Sequence, residues 1–475
     1  MNKSKQFYII SSSILIALVS VVLIITAGPG NEDLWVKVYV CFALFIFFHQ
    51  CFVTLALKKD KGWVQIDLFF LIMFFFVLFW MWMSDMIGLQ QIGRLPSTID
   101  PVRINYSLAL SLMGMAAFVL GFNLIASGGG RQLFIEFGFK KKWLMLGNII
   151  FYTGCIFTVV YALTVGASAF EGHYEGSDVG NLAVRTMYML QGIFLKVGIA
   201  MIILCKSKPN KIIPDGKLPI ALYLVILLMY LILGDRSEFV YAGAVLLFAY
   251  VVSFRNISFV PLVVAVLCFS FISSAARIAR SFDERSIESL VEVITSEHEE
   301  VSVDAGLANI SASGLLTLTA VSAVPAKFDY FMGDLKKREF LGIIPFGRAL
   351  FPQKRSNFEK QFHGTSQWLT WYILGPNSNW GVGSNIIADL YLDFGSPGVF
   401  IGMLILGLTA GYFKKKAVTS TSFIFIVVYC YYAGLLTILP RYAFLAILRG
   451  ILWPLALLWL LNKIFIPKRK KIGVR

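Results

Sequence analysis

The chain has 475 residues, of which 58% are hydrophobic and 15% charged, with a mean hydropathy of +0.75. A soluble domain carries about 45–50% apolar and about 25% charged residues. A water-soluble fold is therefore excluded, and the composition is that of a polytopic membrane protein. The net charge of +15 would suggest nucleic acid in a soluble chain, but here topology accounts for most of it.

A helix needs about 20 apolar residues to cross about 30 Å of hydrocarbon. Runs of that kind, in chain order, are 7–27, 35–57, 64–86, 105–127, 143–165, 187–205, 218–234, 239–254, 257–276, 396–413, 421–439 and 442–465. The first follows a basic start, Met1–Lys5, and has no small-residue cleavage site, so it is expected to remain as a transmembrane helix. The loops then alternate in charge. One side holds Lys58, Lys59 and Lys61; Lys140–Lys142; Lys206, Lys208, Lys211 and Lys217; Lys414–Lys416; and the basic tail. The short loops of the other side hold Arg94, Arg103, Arg185, Arg236 and Arg441 and no lysine. The positive-inside rule makes the lysine-rich side cytoplasmic, with both termini inside. The six cysteines fall in or beside apolar runs, with neither disulfide nor metal spacing.

The expected fold class is thus an all-α polytopic membrane protein of about twelve transmembrane helices. Residues 1–276 carry helices one to nine. Residues 277–395 form one large outer loop, and 396–475 carry helices ten to twelve and the basic cytoplasmic tail. The loop opens with an acidic run, whose Asp283, Glu284 and Glu297–Glu300 lack ordered metal-ligand spacing. Its stretch 306–325 either lies on the membrane or packs under the outer segment. The section from Phe362 to Gly398 is dense in Trp, Tyr, Asn, Ser and Gly. It reads either as an interfacial aromatic belt or as a surface for a glycan or lipid headgroup.

The seventh and eighth runs are short, about 25 Å at about 1.5 Å per residue. Their connecting turn, Gly234-Asp-Arg-Ser-Glu-Phe239, therefore falls at or just below the outer interface. Its charges either close on one another as a salt-bridged cap or face a ligand. Arg277 and Arg280 leave the ninth helix on one side, at i and i+3. Arg441 opens the twelfth, and Arg449 lies two turns deeper in an apolar helix, where a charge must face the bundle. Lys196 in the sixth helix either pairs within the bundle or serves function. Several guanidinium forks around one outer cavity suit a multiply charged anion, and a lipid pyrophosphate fits a cavity in a membrane. An anion transport path fits the charges but not the long outer loop.

These features resemble the Wzy O-antigen and capsular polysaccharide repeat-unit polymerases, including the enterobacterial common antigen polymerases. The likeness rests on the Gly234-x-Arg236 turn, Arg277 and Arg280, and the stretch Ile344, Pro345, Gly347, Arg348, Pro352. It extends to the block from Gly381 to Gly398 (GVGSNIIADLYLDFGSPG), and to Arg441 and Arg449. The resemblance implies a metal-independent glycosyltransferase of the GT-C type in the bacterial inner membrane, with no cofactor. It implies transfer of a growing glycan from undecaprenyl pyrophosphate onto a new lipid-linked repeat unit, on the periplasmic or exterior side. A chain-length regulator (Wzz-like) and a flippase (Wzx-like) are the implied partners.

On that reading Arg236, Arg277, Arg280, Arg348, Arg441 and Arg449 bind the pyrophosphate, where negative charge develops. The acceptor hydroxyl needs a general base; His363, Glu238, Asp389 and Asp393 are the outer candidates, and Glu238 could instead orient Arg236. Two neighbouring readings stay open. One is an O-antigen ligase, which uses the same lipid donor and a lipid A core acceptor. The other is a polysaccharide or lipid transporter (flippase), although no inverted repeat is visible in the chain. Sugar identity, linkage and anomeric outcome are not written in these residues.

Overall fold

The computed structural model describes residues 3–27, 32–58, 64–88, 101–126, 141–165, 182–205, 217–232, 236–253, 257, 260, 264, 268, 312–344, 362, 364–376, 378, 381–419 and 422–465. Among them there is helix and no strand, as backbone groups in hydrocarbon require. The helices are α1 (Lys3–Ile25), α2 (Glu32–Cys51), α3 (Ile66–Leu78), α4 (Trp80–Met86), α5 (Pro101–Ile125), α6 (Lys141–Val165), α7 (Leu182–Cys205), α8 (Lys217–Ile232) and α9 (Arg236–Ser253). Further along the chain come α10 (Leu315–Ala323), α11 (Asp334–Leu341), α12 (Thr365–Leu374), α13 (Ile386–Thr419), α14 (Phe423–Ile438) and α15 (Ala446–Phe465).

Among the described residues, seven helices are long and apolar enough to cross a membrane; α3 with α4, bent by 61° at Phe79, would make an eighth. Shorter apolar helices lie in α8, α9, α10 and α15. Helix therefore lies on every expected run except 257–276, which falls largely outside the described residues.

One expectation changes and one alternative is decided. The tenth run was expected to begin at residue 396, but α13 begins at Ile386 and carries the whole Asp389–Asp393 block as buried helix. Those acids hide in a helix because they are matched there by a lysine, described below. Of the stretch 306–325 the described part, 312–325, takes the packed alternative: α10 is buried against α5 and α13.

The core of the bundle is the pair α5 and α13, which along with the pair α6 and α7 makes one of the two most extensive helix contacts among the described residues. It closes because of two glycines. A Cβ at Gly121 would fall 2.2 Å from the Leu404 carbonyl oxygen, and one at Gly407 would fall 2.1 Å from the Phe118 carbonyl oxygen. Small residues at such positions let helix backbones touch where hydrocarbon offers no hydrophobic drive. Around this pair α14 is buried nearly all round, whereas α1, α6 and α8 turn Leu18, Val22, Ile156, Leu163, Val225 and Leu228 outward.

At the end of α5 and α13 that carries Asn123 and Lys414, buried polar groups form a network. After α2 the chain makes a π turn, Phe52–Leu57, a device that widens a helix locally. Gln50 and Thr54 donate to Asp67 Oδ2 at 2.8 and 2.6 Å, and Lys414 Nζ lies 3.5 Å from Asp67 Oδ1. Asn123 accepts from Lys58 at 2.8 Å and donates to Ser13 at 3.0 Å. Both lysines sit over the Phe122 ring. Asp67, fully buried, is thus answered by charge and by hydrogen bonds, as a buried ion requires.

Candidate functional site

The opposite end of α13 holds the block singled out in the sequence. Asn385 of this block caps the helix: Oδ1 accepts from the Ala388 N–H at 2.8 Å, the usual service of an N-cap side chain. Its amide also donates to the Ser313 carbonyl at 2.6 Å, and Thr317 donates to its oxygen at 3.1 Å. One asparagine thus starts α13 and binds it to α10.

At the end of the block the helix kinks. Pro397 has no N–H for the Asp393 carbonyl, and Gly395 adopts φ 65°, ψ −158°, a region essentially confined to glycine. The freed carbonyls of Leu392 and Asp393 accept instead from the Phe331 and Met332 N–H groups at 3.0 and 2.9 Å. The Asp393 side chain accepts from Gly333 N and Leu335 N at 3.1 and 3.3 Å and so caps α11. Sequence features that look like a loop, Asp-Phe-Gly-Ser-Pro, are thus a joint that receives α11. A Cβ on Gly395 would also meet the Tyr330 ring at 3.2 Å. Gly395→Ala is accordingly expected to cost about 1–3 kcal/mol, read as a lowered thermal midpoint of the detergent-solubilised protein.

Within this joint Lys336 of α11 reaches three acids. Its ammonium lies 2.6 Å from Asp389 Oδ1, 3.0 Å from Asp393 Oδ2 and 3.7 Å from Glu339 Oε2, and it donates to the Asp389 carbonyl at 3.1 Å. Thr365, the first residue of α12, donates to Asp389 Oδ1 at 2.5 Å, and its N–H donates to Glu339 Oε1 at 3.3 Å. Asp389 Oδ2 accepts from the Phe444 N–H at 2.7 Å. One buried carboxylate therefore bolts α11, α12 and the turn 439–445 onto α13. Burial pulls the Lys336 ammonium down, but Asp389, Glu339 and Asp393 outweigh it and hold it above the ordinary lysine value. Burial first, then the Asp389 charge, push the Glu339 carboxyl up to about 8, against the pull of Lys336.

The expected site residues divide as follows. Arg441 is exposed on the turn that Asp389 holds. Arg236 begins α9 and Arg449 lies in α15, their side chains outside what the structure describes. Arg277, Arg280, Arg348 and His363 lie outside the described residues. Glu238 forms an ion pair with Lys196 of α7, whose ammonium also sits 4.2 Å over the Tyr241 ring. The hairpin acid thus reaches a neighbouring helix, and Lys196 pairs within the bundle. Gly434 of α14 packs on Tyr241 and Val245 of α9, so Glu238 and Arg441 lie at the same end of the bundle. Asp389, expected as a candidate base, has both carboxylate oxygens engaged by Lys336, Thr365 and Phe444.

Several described aromatic residues of the segment 312–398 pack on one another. Trp368 is fully buried, stacked on Tyr372 at 5.4 Å and edge-on to Phe328 and Phe331. Sequence reasoning missed two elements of this end. Lys336 and Glu339 sit in the charged run DLKKREFL, and their partners on α12 and α13 are 26 to 57 residues away, between Thr365 and Asp393. Arg103, noted only as an outer arginine, lines a pocket of about 440 Å³ with Tyr106, Val321, Pro325, Tyr330 and Tyr391. Among the described residues no group of three His, Cys, Asp or Glu could hold a metal ion.

Neither a curated protein nor a solved structure matches the chain. A family model described as O-antigen polysaccharide polymerase Wzy matches residues 8–470, which takes in every helix from α2 to α15 and all of the joint around Asp389. The apolar helices and this match make the chain a multi-pass membrane protein acting on lipid-linked polysaccharide repeat units. It belongs to the O-antigen polysaccharide polymerase Wzy family, glycosyltransferase-like polymerases that join O-antigen repeat units.

Proposed function

We propose that the chain extends a glycan carried on undecaprenyl pyrophosphate, at the outer face of the bacterial inner membrane and without a metal ion. Twelve spans with both termini cytoplasmic agree with the alternation of lysine-rich and arginine-only loops. An acceptor hydroxyl of the incoming lipid-linked unit attacks the anomeric carbon of the growing chain. The new C–O bond forms as the bond to pyrophosphate breaks, the lipid pyrophosphate leaves with the electron pair, and a base takes the hydroxyl proton. Arg236, Arg441 and Arg449, with Arg277, Arg280 and Arg348 of the outer loop, stabilise the leaving charge. His363 is the base of choice, two residues before Thr365, because Asp389 is committed to its bonds and Glu238 is paired with Lys196.

The observation that carries this reading is Arg441, exposed on a turn that a buried carboxylate fixes in place. A guanidinium carried on a fixed turn has less reorganisation to make as charge develops than one on a loose loop, which favours electrostatic catalysis. Purified protein given lipid-pyrophosphate-linked repeat units in chelator should yield a ladder of polymer. Transfer only to a lipid A core would make the protein a ligase. Neither product, with movement of glycan across liposome membranes, would make it a transporter. Arg441→Lys keeps the charge and loses the bidentate fork. It should lower the turnover rate at least about tenfold, the lower end for a lost transition-state donor, with the thermal midpoint unchanged. Wild-type turnover in Arg441→Lys removes that residue from the site.

A further inference from the structure

We infer that the pocket lined by Arg103, Tyr106, Tyr330 and Tyr391 is a saccharide subsite, which takes a sugar ring of the lipid-linked repeat unit. This rests on the polymerase reading above and adds to it the part of the substrate held here. At about 440 Å³ the pocket falls in the range of small-ligand sites, about 300–1,000 Å³. Its walls are built rather than adventitious. The Arg103 guanidinium donates to the Ser322 carbonyl, which fixes the arginine across the end of α10. Tyr391 donates its hydroxyl proton to the Val324 carbonyl at 3.1 Å, and its oxygen lies 3.3 Å from the Tyr330 hydroxyl. Tyr106 and Tyr330 both set their rings edge-to-face against Tyr391, at 6.2 and 5.7 Å. Gly395 holds its backbone against Tyr330, so the Asp-Phe-Gly joint supports the pocket from behind.

The balance of donors and acceptors selects the ligand. A phosphate presents only acceptors and would need an array of donors. This pocket offers one guanidinium, itself partly engaged, beside the Tyr330 and Tyr391 phenol oxygens, whose protons are directed to other protein acceptors. Sugar hydroxyls both donate and accept, so they satisfy such a mixed lining. Sugar C–H faces meet the tyrosine rings and the apolar wall of Val102, Val321, Pro325 and Ala326. Pro325 and Ala326 are exposed and form the mouth. The pocket shares an end of the bundle with Arg441, since Tyr391 is two residues from Asp389 on α13.

The test uses the full-length protein in nanodiscs and two probes. One is the free oligosaccharide released by mild acid from the host's lipid-linked repeat unit; the other is inorganic pyrophosphate. Binding of the oligosaccharide is read by saturation-transfer NMR, and polymerisation by the ladder. Ala326→Trp fills the mouth without deleting a contact, and Arg103→Gln removes the guanidinium; elution and thermal midpoint of each are checked against wild type. Both variants should weaken oligosaccharide binding and raise the KM for the lipid-linked unit at least about tenfold, about 1.4 kcal/mol. Inhibition by pyrophosphate should stay as in wild type. Unchanged oligosaccharide binding in a folded Ala326→Trp protein overturns the proposal. Loss of pyrophosphate inhibition instead overturns it too, in favour of an anion site. If wild type makes no ladder yet both variants lose the oligosaccharide, the polymerase reading falls and the subsite stands.

Discussion

Lys336→Met is expected to destabilise the protein by about 3–5 kcal/mol, the cost of removing one partner from a buried ion pair. Lys336 is the one cation within ion-pair distance of Asp389, Asp393 and Glu339 among the described residues. Without it two fully buried aspartates and a nearly buried glutamate face one another uncompensated, and such groups cannot all stay ionised. The damage would not stay local. Asp389 holds α12 through Thr365 and the Arg441 turn through Phe444, so both should loosen. The measurement is the heating temperature at which the solubilised protein loses its monodisperse peak, with ladder formation followed in parallel. Asp389→Asn should be milder, because the amide oxygen can still accept from Lys336 and Thr365. A Lys336→Met protein as stable as wild type would show that the acids carry no charge in the folded state.

Stability should fall as pH rises from about 4.5 to about 8, and Glu339→Gln should remove most of that slope. Burial, joined by the Asp389 charge, raises Glu339 from its ordinary value of 4.5 to about 8. Across that window the folded chain keeps a proton on Glu339 that the unfolded chain has released. The folded state then binds more protons, and by linkage its stability declines as pH increases. The contribution is complete below about 4.5 and gone above about 8. With Glu339 protonated, Lys336 faces two carboxylates instead of three. The thermal midpoint from pH 5 to pH 9 is the measurement for both proteins. A parallel slope in Glu339→Gln would assign the proton to another group.

The membrane architecture was legible because hydrocarbon imposes one length and one polarity on every span. The runs and the lysine alternation can be counted directly, and α1, α2, α5, α6 and α7 lie where their runs indicate. The failures come where side chains answer one another across the fold. Asp389 and Asp393 resemble a loop on the way into a helix, because nothing nearby in sequence neutralises them; Lys336 does so from more than fifty residues away. Conversely, DLKKREFL reads as a solvated charged turn, yet Lys336 is buried within it. The aromatic density around Trp368 reads as an interfacial belt or a ligand surface, but local composition cannot distinguish either from a ring packed on Phe328 and Phe331. Asn385 was noted only within a motif; its capping and its bond to α10 give that motif a structural cause.

Helix α13 is pinned by charge at both ends, to Lys336 through Asp389 and to Asp67 through Lys414. Lys414 follows Asp389 by 25 residues, at most about 37 Å at about 1.5 Å per residue and shorter by what the kink at Gly395 takes up, a length of the order of a bilayer's hydrocarbon core. Such a helix behaves as a tie rod. Pulled from the C-terminus by a cantilever, α15 and α14 should peel away first, and α13 should then resist until the Asp67 and Asp389 anchors yield in turn. That pair of force peaks would be the mechanical signature of a rod clamped at each face of the membrane.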